Sequence, residues 1–541
     1  MLKLRRATRF KYVQTGSLLL LLGLAFFAAC SDSAQKQNAA NDNTVVIGMT
    51  GDFDSFNELN AASSEALQAI QYLLFMSLTT LDENLQFAPQ LAESWEFAPG
   101  DTLLTFHLRR DVFWTDGVPT TAHDVVFTYQ LAIDTTIAYP AASRFDQTSR
   151  VEARDDYTVR FHFKQAYADA LFDTQIPILP KHILEKIPRA EIQTSAFNRK
   201  PIGNGPFQLV EWQANQRAVF AANARYALGR PKLERIVFQI IPEESVLLAQ
   251  LLAGDIDFAP ALEPASYQRI AAGDSSTSTM RAVRYPGRNY SFIAWNLARP
   301  RFTRRVRQAL TLALDQQEII NTLLEGCAQP ALGPLLPLAW AYDKTLRPHA
   351  VDLVRAKQLL AEEGWSELDR EGFLMKNGRR LEFTIKTNAD NQLRRDAAVM
   401  VQAQLQKIGV RVQVEALEWN LLLQQVFEQK DFDALLSAWD ADFAVNPAPL
   451  WHSHAIEEGY NIVSYRNAKV DSLLDAARVL VDRRKAEPLW HEFQQIIIAD
   501  CPYTFLFVPE KLAAFTPRLQ NVKLDARSFL ANVTQWQVAR E

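Results

Sequence analysis

The chain has 541 residues, 48% hydrophobic and 22% charged, with 57 basic and 62 acidic side chains for a formal net charge of −5. The first 29 residues hold five basic and no acidic side chains, so the remainder carries 52 basic against 62 acidic, a net charge near −10. That acid excess excludes a general nucleic-acid binder, which needs a basic surface, while the apolar content and length suit a globular chain of about three domains.

The N-terminus reads as a targeting segment. Lys3, Arg5, Arg6, Arg9 and Lys11 precede an apolar run at 18–27. A membrane-crossing helix needs about 20 apolar residues, so the shorter run marks residues 1–29 as a signal peptide. Ala28-Ala29-Cys30 is similar to a bacterial lipobox, which implies lipidation of Cys30. Ordinary cleavage near Ala29, leaving an unattached protein, is the alternative. Residues 31–43 hold no large apolar side chain, so 30–43 reads as a lipidated cysteine and flexible tether.

Residues 45–49 have the pattern of a first strand and 61–76 that of a helix. The stretch at 89–134 is richer. Leu104, Phe106 and Leu108 alternate with polar neighbours, as in a half-buried strand. Residues 114–117 read as a turn, with Gly117 free to take a positive φ. Thr121 and Asp124 stand at capping spacing, ahead of an apolar helical face of Val125, Val126, Tyr129 and Ile133. The ordered pieces PQLAESWE, TFHLRRDVFWTDG and TTAHDVVFTYQ resemble the signature of the peptide-type (family 5) extracellular solute-binding proteins of bacterial ABC importers.

Further along, Tyr157, Val159, Phe161 and Phe163 alternate as a strand. PKHIL at 180–184 and PIGNGPFQL at 201–209 resemble two more landmarks of that family. Gly203 and Gly205 suit a tightly packed backbone, and the run lacks the third glycine and following helix of a dinucleotide loop. A strand at 237–241, a helix at 245–252 and GDID at 254–257 make a strand–helix–strand unit suited to a mixed sheet. A strand at 290–296 leads into the VRQAL helix, where Val306, Ala309, Leu310, Ala313 and Leu314 keep helical spacing and Gly326 is a stop. Helices at 353–363 and 394–408 alternate with strands at 381–387 and 412–416, so the fold class is α/β. Beyond Cys30 only Cys327 and Cys501 remain; a disulfide and two buried free thiols are both open.

The resemblance covers roughly 45–508 and implies a periplasmic-binding-protein-like fold. Two lobes would be joined by a two-strand hinge, with an extra third domain. Lobe I would take 44–80, 202–296 and 505–541, the extra domain 81–201, and lobe II 297–504. A peptide would lie between the lobes, which close on it by hinge motion, and an ABC permease with its cytoplasmic ATPase would read the closed state. The expected protein is an exported monomer, periplasmic or at the cell surface, held to the membrane through Cys30. It has no cofactor, no metal and no catalytic residue.

SAWDADFAVNP at 437–447 resembles the family's ligand segment. That implies Asp442 as the carboxylate pairing with a peptide α-ammonium, and Trp439 as a flat apolar wall. By the same resemblance Arg395, with Arg394 beside it, aligns with an arginine that grips the peptide carboxylate, and Asn461 matches a landmark near the cleft. An ordinary turn carboxylate and a solvated helix-opening arginine are the alternatives at Asp442 and Arg395. His452 and His454 lack a third ligand at useful spacing, which favours hydrogen-bonding histidines over a metal pair. Same-fold receptors for a nickel chelate, oligosaccharide, opine or haem are the other readings. An exported hydrolase fits less well: Asp440 and Asp442 would share a strand face, yet there is no GxSxG elbow and no HExxH helix.

Overall fold

The apolar run of Thr44–Met49 suits a strand covered on both faces, and it lies between two parallel neighbours, Arg235–Ile240 and Phe258–Ala259. Gly254, at φ +74°, stops the helix Glu244–Ala253 that connects those neighbours. Asp257 then accepts from Val46 N at 2.9 Å and from Arg518 Nη1 at 2.8 Å, fixing the first strand to the C-terminal tail. The computed structural model describes residues 43–273 and 279–539, so the expected signal peptide and the expected lipidation site, Cys30, lie outside the described residues.

One strand ladder crosses the molecule. It runs from Arg411–Leu417 through Glu382–Asn388, Ala434–Asp440 and Asn289–Trp295 to the long strand Tyr503–Phe515. It continues through Phe258–Ala259, Thr44–Met49, Arg235–Ile240 and Arg217–Ala222 to Phe207–Gln213. Tyr503–Phe515 pairs with Asn289–Trp295 near its start and with Arg281–Pro286 near its end, so it belongs to both lobes. The chain's other crossing is at Gly287, where a Cβ would stand 2.1 Å from Pro509 O. The strand Asn289–Trp295 pairs residue for residue with Ala434–Asp440 and therefore lies in the second lobe's sheet. Here the structure departs from the expected boundary after Asn296, because backbone pairing, not the asparagine that ends the motif, decides the lobe.

The 89–134 signature supplies two strands of a separate four-stranded antiparallel sheet, in the order Ala92–Phe97, Leu103–Leu108, Thr158–Phe163, Thr148–Asp155. Gly117 takes φ +92° in the expected turn. Thr121 and Asp124 form the capping box of helix Ala122–Ala132, and Asp124 also accepts from Lys181 N at 2.9 Å, tying the PKHIL turn to that helix. At Gly203 a Cβ would lie 2.1 Å from Leu74 O, and Gly205 N donates to the same oxygen at 2.8 Å. The helix expected over 61–76 is shorter. Asp54 holds Ala62 N and Ser63, so Ser64–Ala69 starts at the Ser63 cap and passes into a π-helical turn, Ile70–Leu74.

Packing divides unevenly. One buried cluster joins the extra domain to lobe I, from Val45 through Phe106 and Phe161 to Trp536. Lobe II has its own clusters on the two faces of its sheet, one of them holding the VRQAL face of Val306, Ala309, Leu310, Ala313 and Leu314. Cys327 and Cys501 are buried free thiols.

Gly287→Ala should force the two crossing strands apart and destabilise the protein by about 2–4 kcal/mol, seen as a lower unfolding midpoint. An unchanged midpoint would mean that the crossing adjusts without strain.

Candidate ligand-binding cleft

The strand Ala434–Asp440 pairs antiparallel with Asn289–Trp295 along its full length, and Ala441 N extends that ladder to Arg288 O at 2.7 Å. On its other side, Glu382–Asn388 pairs only with Ala434 and Leu435. From Ser437 to Asp440, then, that edge has no strand partner among the described residues. The strand delivers Trp439 and, just past its end, Asp442. Trp439 stacks on Phe292 at 5.9 Å and 17°, and Phe292 stacks on Tyr503 at 4.4 Å and 13°. The Trp439 indole N–H points to the Tyr503 hydroxyl at 3.4 Å, and Tyr460 meets the indole edge-on at 5.8 Å. Asp442 is exposed; one carboxylate oxygen accepts from Phe443 N at 2.7 Å, and the other has no partner among the described residues.

Asp442 lines two cavities that share this wall. One, of about 750 Å³, lies between the extra domain and lobe II and is lined by Arg144, Asp169, Asp173, Tyr290, Trp439 and Tyr460 among others. The second, of about 570 Å³, reaches lobe I at Thr50, Glu65, Arg288 and Arg527. Both volumes fall in the range of small-molecule sites, which is roughly 300–1,000 Å³. The Tyr290 hydroxyl is buried and has no hydrogen-bond partner among the described residues.

The extra domain touches lobe II across the first cavity. Ala168 N donates to Arg478 O at 2.9 Å, and the Asp169 carboxyl accepts from Val445 N. The Arg483 guanidinium lies 5.2 Å from the Trp340 ring of lobe II and 5.9 Å from Phe87 of the extra domain. Burial pushes the Asp169 carboxyl up to about 6, with the Val445 amide pulling it down and Asp442 adding to the rise. Burial likewise pushes Asp173 up to about 7, against the hydrogen bond it accepts from the Tyr167 hydroxyl at 2.8 Å. No group of three or more His, Cys, Asp or Glu side chains among the described residues is placed to hold a metal ion.

The family model for bacterial extracellular solute-binding proteins, family 5, middle region, matches residues 86–458. The chain belongs to the family 5 solute-binding proteins. It is 34% identical over 543 residues to the oligopeptide-binding protein AppA of Bacillus subtilis, covering 97% of this chain and 98% of that one. The structure of AppA in complex with a nonapeptide matches with a TM-score of 0.74 over 92% of this chain and 99% of that one. The haem-binding protein A of Haemophilus influenzae is 28% identical, covering 80% of this chain and 81% of that one. NikZ of Campylobacter jejuni, solved with Ni(L-His), is 27% identical with a TM-score of 0.75, over 91% of this chain and 99% of that one.

In this family 5 protein, two of the four expected binding side chains meet. Asp442 and Trp439 share the cleft wall; Arg395 and Asn461 line neither cavity. Arg395 opens helix Gln392–Gln406 and turns back on its own loop, donating to Ala389 O and Gln392 Oε1. At its neighbour Arg394, burial lowers the pKa while Asp390 and Asp440 pull it up, and the side chain donates to Asn388 Oδ1 at 2.9 Å. Asn461 is buried, with its amide donating to His452 O at 3.1 Å and Tyr465 O at 2.9 Å and accepting from Tyr465 N at 3.0 Å. It clamps the loop that carries Tyr460 into the cavity from a buried position outside the lining. His452 has carboxylate neighbours in Asp475 at 3.4 Å and Asp471 at 3.7 Å. Arg144, Asp169 and Asp173 were not among the expected residues. The only trace in the sequence is the acidic pair four apart in YADALFD, and nothing marks Arg144.

Both raised carboxyls bind their proton more tightly in this docked arrangement than in the unfolded chain. Their contribution is therefore complete below the ordinary aspartate range and is lost as pH rises through about 6 to 7. Asp173→Asn should raise the unfolding midpoint relative to wild type more at pH 8 than at pH 5. Equal differences at the two pH values would remove Asp173 as the titrating group.

Proposed function

We propose that this protein is an extracytoplasmic receptor that captures di- or oligopeptides between its lobes and delivers them to an ABC permease. The observation that carries the reading is Asp442: an exposed carboxylate with one oxygen unpartnered among the described residues, on the wall common to both cavities, beside a strand edge without a partner. A peptide α-ammonium placed there would make a charge-assisted hydrogen bond. Its main chain could then run along Ser437–Asp440 as an added strand, with side chains against Trp439 and Tyr460. The binding of a nonapeptide by AppA, a relative at 34% identity, supports the same ligand class.

Binding would favour the closed arrangement by bridging the lobes, and the permease, with its cytoplasmic ATPase, would respond to that arrangement. Cys30 would hold the receptor at the membrane through its lipid, the 31–43 tether giving a reach of roughly 20 Å. No helix among the described residues is long and apolar enough to cross a membrane.

Asp442→Ala should leave the fold intact and weaken peptide binding by about 2–4 kcal/mol, roughly 30- to 1,000-fold, by titration calorimetry. Unchanged affinity would reject Asp442 as the amine site. Native mass spectrometry of ligand retained through purification tests the peptide class itself. Cys30→Ser should move the protein from the membrane to the soluble fraction; wild-type protein already soluble would reject the anchor.

A further inference from the structure

Arg144 is a cleft cation held in no ion pair among the described residues. It sits on the short 3-10 turn Ala142–Phe145 of the extra domain and, like Asp442, lines both cavities. No carboxylate of the described residues comes within ion-pair distance of its guanidinium, and its buried Nε has no hydrogen-bond partner. A half-buried cation left this way is unfavourable unless something supplies the opposite charge.

The protein nevertheless fixes its position. The Tyr139 hydroxyl donates to Glu58 Oε1 at 2.7 Å and also meets the Arg144 side chain. Glu58 and Tyr139 are both buried, so this hydrogen-bonded pair gives the guanidinium a fixed polar backing. The nearest carboxyls, Glu58 and Asp173, feel the Arg144 charge but lie beyond ion-pair distance of its guanidinium. Glu58 is engaged by Tyr139 and Asp173 by Tyr167, and burial pushes both toward the protonated form.

We propose that Arg144 receives a carboxylate of the bound peptide, so that the extra domain, and not lobe II, reads the ligand's negative charge. A guanidinium offers two parallel N–H donors to one carboxylate, a match that neither lysine nor glutamine reproduces. With Asp442 on lobe II and Arg144 on the extra domain, the two charges of a zwitterionic peptide would be held by different parts of the protein. Closing the cleft would then complete the site. This rests on the peptide reading above, and it extends that reading to which ligand group discriminates. The carboxylate has two sources, the C-terminus or an acidic side chain.

The test uses alanine peptides of two, three and nine residues, each as the free acid and as the C-terminal amide, together with amides carrying one glutamate. Affinities are measured for wild type, Arg144→Gln and Arg144→Lys, with melting curves to confirm folding. The wild type should prefer a carboxylate-bearing peptide over its neutral amide by about 10- to 100-fold. Arg144→Gln should bring that ratio to near one, and Arg144→Lys should restore part of it. Preference for the free acids assigns the C-terminus, and recovery in the glutamate-bearing amides assigns a side chain. A preference that survives Arg144→Gln, or equal binding of acid and amide by wild type, overturns this proposal and leaves the peptide reading standing. Failure of wild type to bind any of the peptides overturns both.

Discussion

The backbone ladder of Tyr503–Phe515 is the constraint on which the arrangement depends. Its first residues pair inside lobe II and its last inside lobe I, so one unbroken strand fixes where the lobes meet. Thr504 anchors it from the lobe II side, accepting from the Trp295 indole at 2.9 Å and meeting the Thr311 hydroxyl at 2.6 Å. Gly287 carries the second crossing against it with no room for a side chain. Two closely packed crossings permit rotation of the lobes about one line and resist sliding, which is what a hinge between rigid layers requires.

That geometry explains why the chemistry gathers where it does. The strand Ala434–Asp440 follows the same ladder, so its end is placed relative to lobe I as firmly as the hinge itself. Its stacked rings, Trp439 on Phe292 on Tyr503, continue down to the shared strand. Asp442 thus projects from the lobe II sheet, while the extra-domain groups across the first cavity share their buried core with lobe I. Charges set in such a gap act more strongly once water is excluded, because the local dielectric falls.

Much of the fold was legible because local rules and tertiary packing agreed. The Thr121–Asp124 cap, the Gly117 turn, the close approach at Gly203 and the VRQAL face each followed from residue chemistry, and each is where the sequence put it. The α/β class followed from the alternation of strand and helix. What escaped was set by partners far along the chain. Nothing local shows that Asp54 delays the helix after residue 61, or that the strand 289–295 pairs with 434–440. In the cleft, Asp442 and Trp439 were readable from a motif. Arg395 and Asn461 belonged to similar patterns, but their side chains are committed to their own loops. Arg144 was invisible, because its place in both cavities is set by how the extra domain packs, which no local pattern records.

The extra domain shares its buried core with lobe I but meets lobe II through a backbone bond, a carboxyl–amide contact and an arginine lying near two rings. These are groups whose bonds water can replace, so this seam costs less to solvate than the shared core of the extra domain and lobe I would.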